Sequence, residues 1–487
     1  MNYRIILRTL SALLVILAGA LFVSAGIAAI YGEPMLPFLL PAASGALTGI
    51  LGIWLIPTDQ TDSAGIRDAG YIVVFTWVMA CLIGAVPFLL QSDPLSVLSP
   101  ADALFESASG FTTTGSTIFA EVEHLPRSIL FWRSLTHWLG GMGIVVLAIA
   151  IIPFLGFSGV LLMGAEAPGP EVERLTPRIT QTAQLFWMVY VGLTVIETIL
   201  LVGGGLSFFD AVNHSFATVA TGGFSTRNAS IAAWDSVYVD GVVTLFMVLS
   251  GVNFALYFRL LIRDFGRVKR DSELKVYGSL YVISVVVVAM TLFLSRTYDN
   301  VGQAFRYATF QVATLMTSTG FATADYVLWP GAARGILLLM LFVGGSLGST
   351  SGGIKIFHVT VLAKAAWREI TRIRHPSAIL TVWFNQQPLK EQVILAVAGF
   401  FFLYLTLVIL STIVVAAAGV DLETALSATL AAIGNIGPGF SRVGPTRNFA
   451  FFPDWTKLWL AFVMVAGRLE IYTLAIFLLP DRHRAWR

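Results

Sequence analysis

The sequence predicts an all-α integral membrane protein of about ten transmembrane helices, in which four pseudo-symmetric helix-pore loop-helix repeats surround one central pore behind an N-terminal helix pair. Three observations predict it: a charge-poor composition, a succession of apolar stretches, and a glycine-centred turn that recurs four times between them. Of 487 residues, 56% are hydrophobic and only 12% charged, with a mean hydropathy of +0.81. Soluble domains carry about 25% charged residues, so the bilayer is the solvent here. The net charge of +2 is not gathered into a basic soluble domain, which argues against nucleic acid as a partner.

A spanning helix needs about 20 mostly apolar residues. Such stretches fall near residues 8–30, 35–56, 69–91, 128–155, 182–204, 236–261, 276–295, 333–343 with 354–363, 392–419 and 456–480. They divide the chain into a helix pair (1–60) and four pore repeats (61–178, 179–270, 271–385 with an interrupted second helix, and 386–487). Arg4 and Arg8 precede the first stretch as in a secretory signal, but the stretch runs on to Ile30 and reads as a first transmembrane helix. Basic residues cluster at Arg259, Arg263, Arg267, Lys269, Arg270 and Lys275, and again at Lys364, Arg368, Arg372 and Arg374. The positive-inside rule puts these in the cytoplasm, and with them both termini, including Arg482, Arg484 and Arg487. The loop 164–178 carries Glu166, Glu171 and Glu173 against Arg174 and Arg178, but acidic residues weigh little in that rule. Cys81, the lone cysteine, sits in an apolar run as a small core residue and permits no intrachain disulfide.

Four connections share one design, a short and moderately apolar segment followed by a glycine-rich, mostly hydroxyl-bearing turn. Residues 102–117 read DALFESASGFTTTGST, 210–226 read DAVNHSFATVATGGFST, 310–323 read FQVATLMTSTGFAT and 425–440 read ALSATLAAIGNIGPGF. Gly115, Gly223, Gly320 and Gly437 superpose without gaps, and the Gly-Phe pairs at 223–224 and 320–321 favour Gly223 over Gly222. Irregular backbone at membrane depth is tolerated only inside protein or against a water-filled path. Segments too short to span are therefore suited to descend as half-helices and return extended. Glycine accepts the φ values that aim successive carbonyls to one side, a ring of carbonyls replaces an alkali ion's hydration shell, and half-helix C-termini favour a cation. Close helix packing by small residues is the bland alternative for any one turn, and four occurrences on one side count against it.

At these residues the chain resembles the Trk/Ktr/HKT superfamily of potassium transporters, most closely the bacterial Trk membrane subunits, over nearly its whole length. The resemblance implies a single-chain, pseudo-fourfold potassium filter formed by Thr112, Thr113, Thr114 and Gly115; Ala220, Thr221, Gly222 and Gly223; Thr317, Ser318, Thr319 and Gly320; and Asn435, Ile436 and Gly437. In related plant transporters a serine at the first glycine goes with sodium preference, so four glycines imply potassium as the substrate. The fourth turn departs most, because Asn435-Ile436-Gly437-Pro438 lacks the hydroxyl run. The resemblance also implies bacterial inner-membrane location, homodimerisation, and a cytosolic TrkA-like ring that carries the regulatory nucleotide, since no nucleotide site is found in this chain.

Two further features belong to the second helices of the repeats. The run Gly344, Gly345, Ser346, Leu347, Gly348, Ser349, Thr350, Ser351, Gly352 and Gly353 has poor helix propensity and needs internal partners in lipid. It is expected to bulge into the cavity below the filter, where the resemblance makes it a gate; a passive kink is the alternative. Arg468 lies near the middle of the last predicted span, where a charge costs about 2.5–3.5 kcal/mol on insertion scales. Its preferred partners are loop carbonyls around 346–351, with structural pairing to Glu470 or another helix as the alternative. Glu106, His214 and Gln311 each stand nine residues before their glycine, as filter braces or as solvated or capping groups. Lys355 is placed at the inner mouth or snorkels, and Glu197 receives no role.

Two other function classes compete with this one. A secondary transporter for another cation or small solute also uses broken helices, but usually in two inverted halves, whereas these four repeats run the same way. An enzyme is disfavoured: the six histidines are scattered and show neither H-E-x-x-H nor a phosphate-binding glycine loop.

Overall fold

A computed structural model describes residues 2–57, 66–91, 98–143, 179–378 and 380–471. The loop 164–178 and the C-terminal arginines lie outside the described residues. Two antiparallel helices open the fold, α1 (Tyr3–Ile30) and α2 (Leu36–Leu55). They pack so closely that a methyl group on Gly49 would meet the Val15 side chain and the Ser11 carbonyl at 2.7 and 2.8 Å. The turn between them supplies Glu33, whose carboxylate accepts the Arg127 and Ser128 N–H groups at 2.7 and 2.8 Å and so caps α5 (Arg127–Gly141).

One pattern then repeats four times. A long helix leads, namely α3 (Ile66–Leu90), α6 (Ile179–Gly203), α11 (Ser272–Leu294) or α15 (Glu391–Ala416). A short helix follows: α4 (Pro100–Phe111), α7 (Phe208–Val219), α12 (Val301–Met316) or α16 (Leu422–Ile433). Each short helix starts on a side-chain cap, from Ser99, Ser207, Asn300 and Asp421 respectively, worth about 1 kcal/mol each. At about 1.5 Å per residue none of the four reaches across the roughly 30 Å hydrocarbon core. Their C-terminal ends are therefore held at depth inside protein.

The second helices of the pattern are α5, α8 (Val237–Ser250), α13 (Gly331–Met340) and α17 (Asp454–Arg468). The sequence led us to expect an interruption only in the third. Instead α8 bends by 95° into α9 (Phe254–Leu261), α13 gives way to the 341–355 loop before α14 (Ile356–Arg374), and α17 stops at Arg468 with Glu470 and Ile471 at φ 50° and 49°. Arg468 is thus the last residue of α17, and the rest of the predicted 456–480 span from 472 onward lies outside the described residues. Close approach accompanies these ends: a methyl on Gly467 would run into the Ile433 carbonyl at the end of α16, and one on Gly140 into the Phe111 carbonyl at the end of α4. By length and composition six described helices can cross a membrane, seven with the bent pair. Of the remaining predicted crossings, 333–343 with 354–363 is α13 and α14 joined by the 341–355 loop, and 128–155 and 456–480 run on past the described residues.

The repeats close into a ring. Helix α5 packs against α7, α8 against α12, and α17 back against α4. Ion pairs staple three of the junctions: Arg306 with Asp240 at 2.7 Å, Arg334 with Glu423, and Lys457 with Asp102 at 2.5 Å. On the opposite face α10 (Phe265–Arg270) leads into α11, and Asn385 in the turn of a short hairpin, β1 (Trp383–Phe384) and β2 (Gln387–Pro388), bonds Asp271 and the Ser272 N–H.

Candidate functional site

The four turns are one backbone motif. Two residues before each glycine the chain enters the left-handed region, at Thr113 (φ 56°), Thr221 (54°), Ser318 (55°) and Asn435 (51°), and it does so again at Gly115 (81°), Gly223 (82°), Gly320 (85°) and Gly437 (96°). Gly222 does not. The residue before each glycine returns its N–H to the short helix, Thr114 to Ser109, Gly222 to Ala217, Thr319 to Thr314 and Ile436 to Ala431, at 2.8–2.9 Å. The fourth turn, which departs most in sequence, follows the same geometry.

The turns also meet in order. A methyl group built on Gly115 would run into the Gly222 carbonyl, one on Gly223 into the Thr319 carbonyl, one on Gly320 into the Ile436 carbonyl, and one on Gly437 into the Thr114 carbonyl at 2.7 Å. Each glycine therefore faces the carbonyl that precedes the next glycine, and the cycle closes from the fourth turn to the first. Glycine is required here twice over, by φ and by space. Above the four glycines lies a cavity of about 130 Å³, lined also by Arg133, Arg227 and Arg447.

Side chains brace the turns by different means. Thr112 and Thr114 share a hydroxyl contact of 2.7 Å, as do Thr317 and Thr319. Asn435 reaches from the fourth turn to the Thr114 hydroxyl at 3.1 Å and to the Met464 carbonyl at 2.9 Å. Behind the turns, all three residues that precede the glycines by nine positions are fully buried, so none is solvated. Glu106 accepts the Ile118 N–H at 3.0 Å, His214 meets the Ser225 hydroxyl at 2.9 Å, and the Gln311 carboxamide, oriented to accept, takes the Thr323 and Ala324 N–H groups at 2.9 and 3.1 Å. Ser427 does the same work in the fourth repeat, accepting the Phe440 N–H at 3.0 Å.

Below the turns runs the 344–353 segment, held by side chains and main chain alike. The Thr350 hydroxyl donates to the Val219 and Ser250 carbonyls at 3.1 and 3.2 Å, the Ser351 hydroxyl to the Thr317 carbonyl at 2.8 Å, and the Gly352 N–H to the Ser318 hydroxyl at 2.6 Å. A methyl on Gly352 would strike the Gly434 carbonyl. The segment therefore lies against the second, third and fourth turns. Arg468 donates to the Thr350 carbonyl at 2.9 Å and to the Gly140 and Gly141 carbonyls at 2.6 and 2.9 Å, bridging the segment to the first repeat. Glu273 accepts the Leu347 and Phe357 N–H groups at 2.7 and 3.1 Å and pins both flanks. Lys355 is buried and donates to the Ser351 carbonyl, so it does not snorkel.

Three participants were missed by sequence reasoning. Arg133 pairs with Glu106 at 2.8 Å and donates to the Ser225 carbonyl at 3.3 Å; His137 touches the second turn; Glu273 holds the loop. A charge inside the 128–155 stretch was the available signal for Arg133, whereas Glu273 sat among cytoplasmic charges and gave none. Glu197 is fully buried in α6, the helix that packs against α7, and Cys81 is a buried core thiol whose carbonyl accepts the Ser107 hydroxyl at 2.7 Å.

These elements define a polytopic α-helical membrane protein built around four converging half-helices. A family model described as "TrkH: Cation transport protein" matches residues 48–483. The chain is 36% identical over 487 residues to the Trk system potassium uptake protein TrkH of Salmonella typhimurium, covering 99% of each, and 34% identical over 427 residues to TrkG of Escherichia coli, covering 87% of each. It also matches the crystal structure of the potassium transporter TrkH from Vibrio parahaemolyticus, with a TM-score of 0.88, 33% identity and 99% of each chain covered. The chain belongs to the TrkH family of cation transport proteins.

Proposed function

We propose that this protein takes up potassium across the bacterial inner membrane as the membrane subunit of a Trk system, with the four glycine turns as its selectivity filter. The observation that carries the reading is the closed cycle in which each glycine faces the carbonyl ahead of the next. Alternating φ signs let carbonyls from all four turns face a common axis, where they replace the hydration shell of a dehydrated alkali cation. The C-terminal ends of α4, α7, α12 and α16 add partial negative charge at the same level.

The 344–353 segment is the gate and Arg468 its latch. The segment lies under three turns, and the guanidinium places a fixed positive charge below the filter, which opposes cation passage until the loop moves. Both termini face the cytoplasm, the protein is a homodimer, and the basic segments around 259–275 and 364–374 receive a cytosolic TrkA-like regulatory subunit that carries the nucleotide. The test is uptake of labelled rubidium and sodium by the purified protein in liposomes, wild type against Gly115→Ser. Rubidium preference in the wild type and its weakening in the variant are expected; an unchanged ratio removes the first turn from the filter.

A further inference from the structure

The second turn lacks the hydroxyl pair that braces turns one and three. Turns one and three carry threonine three residues and one residue before the glycine, and the two hydroxyls bond each other across the turn. The second turn has Ala220 and Gly222 at those places. What stands beside Gly222 is the imidazole of His137, from the second helix of the preceding repeat: a methyl on Gly222 would come within 2.5 Å of that ring.

The ring is fully buried and tied at both nitrogens. Nδ1 lies 2.7 Å from the Gly110 carbonyl, near the end of the first short helix. The Phe224 N–H, the first amide after Gly223, donates to Nε2 at 3.2 Å. A main-chain amide only donates, so Nε2 carries the lone pair and Nδ1 carries the proton toward Gly110. The ring also stacks on Phe224 at 4.1 Å between centroids. One neutral imidazole thus joins the rigid end of α4 to the main chain on both sides of Gly223, and it does so from a repeat to which that turn does not belong.

We infer that His137 is the positioning residue of the second turn, substituting for the absent threonine pair and setting the preference for potassium over sodium through Gly222 and Gly223. The inference rests on the filter reading. Without the imidazole, Gly222 loses the ring packed against it and the Phe224 amide loses its acceptor, and carbonyls free to move inward accept a smaller ion.

The experiment compares rubidium-to-sodium uptake ratios in liposomes for the wild type, His137→Leu, the triple variant His137→Ala/Ala220→Thr/Gly222→Thr, and Gly115→Ser. His137→Leu is expected to lower the ratio roughly fivefold while rubidium still enters, a size set by one or two lost hydrogen bonds. The triple variant installs the hydroxyl pair of turns one and three, with the side chain at 222 in the space the ring vacates, and is expected to recover most of the ratio. A role in folding alone predicts no such recovery. If His137→Leu keeps the wild-type ratio while Gly115→Ser loses it, the inference fails and the filter reading stands; if neither changes the ratio, the filter reading fails first. Should His137→Leu not be recovered as monodisperse protein, the triple variant decides: a selective triple supports the inference, and a folded but unselective triple overturns it.

Discussion

Turns one and three stand opposite each other in the ring, and so do turns two and four. The first pair is held from within, by threonine hydroxyls three and one residues ahead of the glycine. The second pair is held by other means: His137 of another repeat supports turn two, while turn four relies on its own Asn435 bonded to Thr114 and Met464, with the Ile436 side chain folded over Gly434. Yet the φ angles of all four agree within a few degrees at the first left-handed position and about 15° at the glycine. A fourfold backbone is therefore compatible with twofold chemistry. What the repeats must share is the glycine and its helix-to-turn hydrogen bonds; the bracing is free to differ.

The largest effect that separates the pairs is expected at the glycines themselves. Gly320→Ala combines a left-handed alanine, costing about 1–2 kcal/mol, with a collision against the Ile436 carbonyl. Rubidium uptake should fall by about a hundredfold or more, since a carbonyl pushed off the axis no longer solvates the ion. Gly437→Ala meets its nearest atom, the Thr114 carbonyl, at 2.7 Å and has the most room of the four. It should retain measurably more uptake than Gly320→Ala, and equal losses would show that φ rather than space sets the requirement.

The same contrast explains what the sequence disclosed. The short segments with a glycine after them were legible because helix length, hydroxyl content and the spacing to Gly115, Gly223, Gly320 and Gly437 are local properties. The grip of Glu106, His214 and Gln311 was half legible, from their common offset. His137 was not, because its partners Gly110 and Phe224 lie in two other segments and a histidine in an apolar helix carries no pattern. Nor were the breaks in α8 and α17: the 95° bend at Gly251 to Asn253 and the approach of Gly467 to another helix's carbonyl appear only once the helices are packed. Arg468 meets a loop carbonyl, that of Thr350, within the expected 346–351 stretch, whereas the turn that ends α17 at Arg468 was not legible.

Next in size is the latch below the ring, where Arg468 ties the 344–353 segment to α5 of the first repeat. Arg468→Gln removes charge-assisted bonds to Thr350, Gly140 and Gly141, each worth about 1.5–3 kcal/mol. Basal rubidium flux without any cytosolic partner should rise about tenfold, and deletion of residues 345–351 should raise it at least as far. A silent or unaltered deletion variant counts against a gate in this segment.

Smaller changes are expected within the hydroxyl-braced pair. Thr319→Val keeps the shape of the third turn and deletes its contact with Thr317. A single hydrogen bond of about 1 kcal/mol corresponds to a two- to fivefold loss in the rubidium-to-sodium ratio. Ile436→Val, at the same position of turn four, removes one methylene and no hydrogen bond, so its ratio should stay near the wild type. If the two variants behave alike, the hydroxyl brace has no influence on selectivity.

The smallest effects belong to the ion pairs between repeats, which sort by burial rather than by turn. Lys457 and Asp102 join repeats four and one with side chains 7% and 17% exposed, whereas Arg334 and Glu423 join repeats three and four at 33% and 50%. Removing one partner of a buried pair strands the other charge, so Lys457→Met should lower the apparent thermal midpoint in detergent by several degrees. An exposed pair contributes about 0–1 kcal/mol, and Arg334→Met should shift the midpoint by about a degree at most. The closure between the last repeat and the first would then depend on charge more than the junction between repeats three and four does. Equal shifts for the two variants would mean that helix packing of α17 on α4, rather than the Lys457 ammonium, holds that junction closed.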